Sequence, residues 1–232
     1  EVVEAPQGDA TVLGILVDKS GDVPAGVGLS RESLKRAGFS GNTGQTLTLP
    51  RQDGSTVIAV GVGEPEKVDA AAVRDAAGAL ARAASHDAAV AVALGEETSG
   101  LDAALVGQAI VEGAVLGRYR YEELRSSSEV TALTAVTIVA ASELHEALRA
   151  GADRGRSLAR ATSVARDLSN APGSLLTAPA FGDLATRIAS ETGLGIEVLD
   201  KAALEELGCG GLLGVNRGSA DEPRMIKVSY RP

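Results

Sequence analysis

The chain has 232 residues, of which 44% are hydrophobic and 2% aromatic, and it carries a formal net charge of −9. This hydrophobic content excludes a disordered chain, the negative charge disfavours a nucleic-acid-binding surface, and no apolar run approaches the roughly 20 residues that span a membrane. One Cys and two His residues are too few for a disulfide framework or a structural zinc site, and a lone Cys is typical of a reducing, cytoplasmic protein.

Short apolar segments rich in β-branched residues predict the strands of the first half of the chain. They lie at residues 11–17, 56–62, 88–94 and 133–139. Because each segment is apolar throughout, we expect both faces of these strands to be buried, as they are in a parallel sheet. A weaker strand around Leu47–Leu49 is expected to pair with the second segment as a hairpin.

Helical segments alternate with these strands. Asp69 is expected to cap a helix that runs to about Ala84, and a second helix is expected from about Leu101 to Gly117. Strand–helix alternation of this kind predicts an α/β domain with a mainly parallel sheet flanked by helices.

A longer helix is predicted after the last strand of this sheet. It begins at Ser142 and continues to about Leu168, and the sequence Asn-Ala-Pro-Gly at 170–173 ends it. A helix that leaves one domain and stops at a Pro/Gly turn is typical of a connector. We therefore predict an N-terminal domain at 1–141 and a connecting helix at 142–170.

The remaining segment, 171–232, begins a second α/β pattern and does not complete it. Its predicted elements are a helix at 179–190, a strand at 196–199, a short helix at 202–207 that a run of glycines breaks, and a strand at 225–230. About 60 residues is a size at which one core rarely stabilises a fold without help. We therefore interpret this segment as the truncated beginning of a larger domain.

Gly61-Val62-Gly63 is the first candidate for a binding function. It follows a strand and precedes a helix, a position where a glycine loop can offer backbone N–H groups to a phosphate. Glu64, Glu66 and Asp69 lie at the same helix entrance, however, where their carboxylates would repel a phosphate. The sequence also has neither the third glycine of a dinucleotide fingerprint nor a P-loop. An ordinary strand-to-helix turn is therefore favoured over nucleotide binding.

The other reactive side chains do not form a recognisable catalytic motif. His86 and His145 have no second His at a useful spacing, so each is interpreted as a solvated or capping residue. Cys209 lies among glycines with no assigned base and is interpreted as a small apolar residue in a turn. The adjacent acidic pairs point to different faces and are interpreted as solvated surface: Glu96/Glu97, Glu122/Glu123, Glu205/Glu206 and Asp221/Glu222.

One basic cluster contains aromatic residues. It is Arg118-Tyr119-Arg120-Tyr121, with Arg125 beyond it. Interleaved Arg and Tyr side chains can stack on bases or pair with phosphate, but two neighbouring glutamates partly neutralise the cluster. Because the dipole of a helix favours Arg at its C-terminus, we prefer a structural role and keep an interface as the alternative.

Two regions of the chain together resemble the leucyl (cytosol) aminopeptidases. The downstream region extends over about 70 residues and has the family's order and spacing of motifs, while the upstream region matches more loosely but in register. The downstream motifs are Val164-Ala-Arg-Asp-Leu-Ser-Asn-Ala-Pro172, Leu176-Thr177, Pro179, Ile196-Glu-Val-Leu-Asp200, Leu204, Leu207, Gly210-Gly-Leu-Leu-Gly-Val215, Gly218-Ser219, Pro223-Arg-Met-Ile226 and Tyr230-Arg231. The upstream motifs are Val60-Gly-Val-Gly63, Glu112-Gly113, Leu116-Gly117 and Tyr119.

This resemblance implies both an architecture and an activity. Enzymes of the family have a non-catalytic, macro-domain-like N-terminal α/β domain, a linking helix, and a catalytic domain that holds two divalent metal ions, Zn or Mn. They are cytoplasmic homo-hexamers that release N-terminal residues, often Leu, from peptides. By this resemblance, 171–232 is the beginning of the catalytic domain.

The resemblance assigns no catalytic, cofactor-binding or metal-binding residue to this chain. The family's ligands and catalytic groups lie in a Gly-Lys-Gly…Asp-Ser-Gly-Gly segment and in later motifs, which would begin beyond Pro232. The chain alone is therefore expected to bind no metal pair and to be inactive. Two alternatives are an ADP-ribose-like ligand-binding module, supported by the glycine loop, and an inactive regulatory subunit of a hexameric peptidase.

Overall fold

The computed structural model describes residues 1–5 and 12–231. The chain forms two compact units, Glu1–Arg166 and Asp167–Pro232. The division falls inside the long helix that the sequence predicts as a connector, and the assignment of residues 142–170 as a connector stays a prediction.

The first unit is an α/β sheet domain, as predicted. Its strands follow the order β1-β6-β5-β2-β4-β3 across one sheet, in which β3 is antiparallel to β4 and the other pairings are parallel. The strands are β1 (Val2–Val3), β2 (Val12–Asp18), β3 (Thr46–Pro50), β4 (Thr56–Gly63), β5 (Ala89–Ala93) and β6 (Ala135–Val139). The helices are α1 (Arg31–Arg36), α2 (Ala70–Ala83), α3 (Ala103–Arg118) and α4 (His145–Asn170), the last of which ends in the second unit.

Alternating side chains of the central strands build a core on each face of this sheet. On one face, Leu16 and Ile58 belong to a cluster that includes Leu80 of α2, Ile110 of α3 and Leu148 of α4. The opposite face carries a smaller buried cluster that includes Leu34 of α1; its members are Ile15, Val17, Val27, Leu34, Phe39, Val57 and Ala59. Because both faces are covered, these strands are apolar throughout, and this explains why the sequence predicts them correctly.

Helix caps confirm two of the predicted helix starts. The Asp69 carboxylate accepts a hydrogen bond from the Ala72 N–H at 2.8 Å, so α2 begins where the sequence predicts. Asp102 accepts from the N–H groups of Ala104 and Leu105 at 2.8 and 3.1 Å and caps α3 in the same way. Each cap satisfies N–H groups that have no partner within the helix.

Glycines bring the three helices of the larger cluster into backbone contact. A Cβ atom added to Gly113 of α3 would overlap the carbonyl oxygen of Arg74 in α2. On the other side of α3, a Cβ atom on Gly151 of α4 would overlap the carbonyl oxygen of Ala104. These helices therefore pack more closely than side chains with a Cβ atom would permit.

Two elements of the first unit are absent from the sequence-based prediction. The strand β1 has two residues and is defined by its pairing with Ile138 and Val139 of β6, far away along the chain. The helix α1 has six residues and depends on a cap from Ser30. The predicted strand at 11–17 is observed from Val12 onward, and Thr11 lies outside the described residues.

The second unit contains two strands and short helices. Its elements after α4 are α5 (Ala178–Thr192), β7 (Gly195–Leu199), α6 (Lys201–Glu206), α7 (Gly210–Asn216) and β8 (Met225–Ser229). The strands pair antiparallel, with Ile196 opposite Val228. The glycines after α6 end that helix as predicted, and Gly208 takes the left-handed conformation. A further helix, α7, starts two residues later and was not predicted, because its sequence is rich in glycine.

Candidate functional site

The switch point of the sheet is the natural place to look for a ligand site. From β2 the chain continues to β3 and β4 on one side and later returns to β5 on the other side. Ligands of open α/β sheets bind outside the carboxyl ends of the strands at such a point. Here these ends carry Asp18 on β2, the glycine loop at 61–63 on β4, and Glu97 just after β5.

The glycine loop does not offer its N–H groups to a phosphate. The N–H of Gly61 donates to the Gln45 carbonyl at 2.8 Å, and the N–H of Gly63 donates to the Gly41 carbonyl at 2.9 Å. A Cβ atom on Gly61 would overlap the Asn42 carbonyl, so residues 41–45 lie directly against the loop. The close approach of this neighbouring backbone explains why glycine is needed at position 61. The glycine loop therefore no longer supports the alternative of an ADP-ribose-like ligand.

Charged side chains around this edge are paired with one another. The Glu64 carboxylate lies 2.7 Å from the Lys67 ammonium and 3.8 Å from that of Lys19. The Arg31 guanidinium donates to Asp18 Oδ1 at 3.1 Å and to the Ser20 carbonyl at 2.6 Å. Through these hydrogen bonds, Arg31 fixes the conformation of the loop that follows β2.

Glu97 differs from the solvated residue that the sequence suggests. Its Oε1 accepts a hydrogen bond from the Gly95 N–H at 2.9 Å, and the side chain is half-buried, whereas Glu96 is exposed. Burial raises the pKa of the Glu97 carboxyl, the negative charges of Asp18 and Glu96 raise it further, and hydrogen bonds from backbone N–H groups oppose this rise.

We expect Glu97→Gln to stabilise the first unit at neutral pH. The pKa of Glu97 is higher in the folded chain than its ordinary value of 4.5, so the protonated carboxyl favours folding. That contribution is fully present below the ordinary value and is lost as the pH rises through the raised value. Thermal unfolding should therefore show a higher Tm for Glu97→Gln than for the natural chain at pH 7, and no difference at pH 4. Glu96→Gln is the control, and a gain of equal size from it would contradict the assignment.

Neither histidine takes part in a cluster of reactive groups. His145 Nε2 lies 2.9 Å from the Ala140 carbonyl oxygen at the start of α4, and His86 is exposed on a loop. Cys209 is half-buried and directly precedes α7. Among residues 1–5 and 12–231, no group of three or more His, Cys, Asp or Glu side chains is arranged to hold a metal ion.

Arg118 has a structural role, as the sequence analysis prefers. Its guanidinium is buried and donates to the carbonyl groups of Ala81 at 2.7 Å and Thr131 at 2.7 Å, and also to those of Ala84, Ser85 and Asp87. These carbonyls belong to the C-terminal end of α2 and to the segments beyond it. Arg118 therefore neutralises the C-terminus of the neighbouring helix, not that of its own helix.

The upstream motif of the resemblance also has a physical explanation. Gly113 and Gly117 lie one turn apart on the face of α3 that contacts α2, where Gly117 meets Gly78. Glu112, on the neighbouring position, accepts a hydrogen bond from Gln108 at 2.7 Å. The close contact between α2 and α3 requires these glycines. The upstream motif is therefore explained by helix packing within the domain.

Two family models match the chain in succession. The N-terminal domain of the cytosol aminopeptidase family matches residues 23–128, and the catalytic domain of the same family matches residues 163–232. The chain belongs to the cytosol aminopeptidase family. This confirms the resemblance seen in the sequence, including its division into an N-terminal part and a catalytic part.

Curated members of the family match most of the chain. A probable cytosol aminopeptidase of Rhodococcus jostii is 34% identical over 96% of this chain and 46% of its own length. Another from Solibacter usitatus is 40% identical over 76% of this chain and 36% of its own length. The chain thus spans less than half the length of the curated relatives it matches.

Solved structures of other proteins share the fold of this chain. The bottromycin maturation enzyme BotP in complex with Mn superposes with a TM-score of 0.80 at 36% identity, over 97% of this chain and 46% of that one. A mutant of tomato leucine aminopeptidase superposes with a TM-score of 0.79 at 24% identity, over 96% of this chain and 48% of that one. The chain therefore shares its mainly parallel α/β fold with these two structures.

The described residues do not fit the metal pair that the family resemblance implies. A bridged pair of divalent ions needs several carboxylate, imidazole or thiolate ligands around one point, and the described part of the chain contains no such group. Within the same residues, every helix is too short or too polar to cross a membrane.

Proposed function

We propose that this chain is part of a metal-dependent, leucyl-type aminopeptidase that releases N-terminal amino acids from peptides in the cytoplasm. The observation that carries this proposal is the order of the family matches, with the N-terminal domain at 23–128 followed by the catalytic domain at 163–232. A structure similar to this chain is BotP in complex with Mn, which supports a divalent ion, Mn or Zn, as the cofactor of the whole enzyme.

In this proposal, the described residues support assembly and access to the active site, while other residues carry out hydrolysis. Two observations support this division. No described group of side chains suits a metal ion, and at the switch point of the sheet the glycine N–H groups already bond to the chain itself. We therefore assign no catalytic, metal or cofactor role to the residues at 1–5 and 12–231, and the resemblance favours a homo-hexamer as the assembly.

The second unit supports the proposal through its exposed apolar surface. Few of its side chains are buried, among them Leu204, while Val215 is 90% exposed and Leu207 is 61% exposed. Tyr230, just after β8, is 74% exposed. A unit of this size with so small a core needs a further surface to cover it, as the beginning of a larger catalytic domain would.

The purified 232-residue chain is expected to be inactive. Incubated with leucyl p-nitroanilide and Mn²⁺ or Zn²⁺, it should release no p-nitroaniline above the rate of the metal-containing buffer. Equilibrium dialysis should show no stoichiometric binding of either metal. Metal-dependent turnover that disappears with a chelator would overturn the proposed division of labour.

The native protein tests the part of the proposal that assigns aminopeptidase activity to the whole enzyme. Isolated from its source with antibodies raised against this chain, it should have an intact mass of about twice that of the chain, because the relatives are about twice as long. It should also hydrolyse the leucyl amide when supplied with Mn²⁺ or Zn²⁺, and light scattering should give six protomers. A native species of the chain's own mass without turnover would instead favour the inactive regulatory subunit.

A further inference from the structure

A groove on the first unit runs along the contact between α2 and α3, and Thr43 and Gly44 also line it. Its volume is about 620 Å³, which is in the range of small-molecule sites. The charged residues that line it are Arg74, Asp75, Arg82, Glu112 and Arg166. Three cations therefore line one groove of a chain whose net charge is −9.

Two of these arginines stand on the same side of α2. Arg74 and Arg82 are eight residues apart, close to two full turns, which places their Cα atoms about 12 Å apart along the helix. Gly78 lies midway between them and has no side chain, so the helix presents a notch between two cations. Both side chains are exposed, and neither has an ion pair or hydrogen bond with another described residue.

The third arginine is held in place at the far side of the groove. The Arg166 guanidinium donates to the Leu116 carbonyl at 3.3 Å and lies over the Tyr119 ring, 5.3 Å from its centre. This stacking fixes the direction of the cation and leaves its other N–H groups available. Of the two acidic residues in the groove, Glu112 is already engaged by the Gln108 amide at 2.7 Å.

We propose that this groove binds an extended oligophosphate, free or as part of a nucleotide. Arginine forks match phosphate oxygens, and two cations separated by a notch suit an anion whose charges are spread along several ångströms. A single phosphate can engage only one of the two arginines of α2, whereas a chain of three phosphates can approach both. This site lies wholly within the first unit and is independent of the proposed peptidase activity.

Isothermal titration of the 232-residue chain with inorganic tripolyphosphate tests the site. We expect one site per chain at low salt, binding at least about tenfold weaker for orthophosphate, and weakening as NaCl is raised. Arg74→Gln and Arg82→Gln should each weaken tripolyphosphate binding by about tenfold, since each removes one charge-assisted contact. ATP binding at least as tightly as tripolyphosphate would place the oligophosphate in a nucleotide, and weaker ATP binding would indicate the free anion.

Two further variants separate a specific site from a general effect of charge or folding. Arg154→Gln removes an exposed arginine of the same unit outside the groove and should leave the affinity unchanged. Asp75→Asn removes a carboxylate that repels the ligand and should tighten binding by about threefold, a gain that a folding defect cannot produce. The proposal is wrong if tripolyphosphate does not bind, if Arg154→Gln weakens binding as much as Arg82→Gln, or if citrate binds as tightly as tripolyphosphate.

Discussion

Replacing Gly113 by alanine is expected to lower the free energy of unfolding of the first unit by about 3 kcal/mol, which is the upper part of the range for overpacked cores. The added methyl group would overlap the Arg74 carbonyl oxygen and lie 3.0 Å from the Ala77 Cβ atom. Backbone atoms cannot rotate away as a flexible side chain can, so α2 and α3 must separate. For a unit of this size, the melting temperature should fall by about 6–12 °C in circular dichroism at 222 nm.

Gly151→Ala extends this test to the contact between α3 and α4. Its methyl group would overlap the Ala104 carbonyl oxygen and approach the Ala104 Cα atom to 2.9 Å, so a loss of similar size is expected. Gly100→Ala is the matched control, because nothing lies within 4 Å of the added atom and its φ is not in the left-handed region. That control should be neutral or slightly stabilising. If Gly113→Ala melts within about 1 °C of the natural chain, the close helix packing is not required.

Arg118→Met is expected to destabilise the first unit by about 2–3 kcal/mol, the cost of leaving buried carbonyl groups without their charged donor. Arg118 is 8% exposed, and its guanidinium donates to the carbonyl groups of five residues around the end of α2 and in the segments beyond it. Burial lowers the pKa of Arg118, and the nearby negative charge of Asp87 opposes this shift. Methionine fills most of the volume but donates no hydrogen bond, so the carbonyls lose the guanidinium as a donor. Those of Ala84 and Ser85 keep the N–H groups of Asp87 and Thr131 as donors.

Urea unfolding of two further variants distinguishes the hydrogen bonds of Arg118 from its charge. Arg118→Lys keeps the charge, but an ammonium lacks the planar fork that reaches several carbonyls, so most of the loss should remain. Arg120→Met removes an exposed arginine two residues away and should change stability by less than about 0.5 kcal/mol. If Arg118→Lys restores full stability, the geometry of the network is unimportant and the interpretation is wrong.

Elements that depend on neighbours along the chain were predicted well. The strands β2, β4, β5 and β6 are apolar runs, and the Asp69 cap and the β3–β4 hairpin use residues close together in sequence. The family was also evident in the sequence, because its motifs are short and keep their order. In contrast, β1 and the register of its pairing with β6 join residues more than 130 positions apart, and no local pattern of two valines predicts this.

The roles of individual side chains were predicted less completely, for the same reason. The sequence places Arg118 at the end of a helix, but the carbonyls that it serves begin 37 residues earlier, at Ala81. Glu97 was grouped with solvated acids, although the loop after β5 buries much of its carboxyl. Burial and hydrogen bonding depend on which segments meet, and composition or spacing does not contain that information.

By itself, the sequence determined the alternation of strands and helices, the parallel character of the sheet and membership of the cytosol aminopeptidase family. Only the tertiary structure decided that the Gly61 and Gly63 N–H groups already bond to residues 41–45, and that Arg74, Arg82 and Arg166 line one groove. The physical reason is the range of the interactions. Secondary structure follows from the pattern of nearby residues, whereas a binding surface is made by groups that folding brings together from distant parts of the chain.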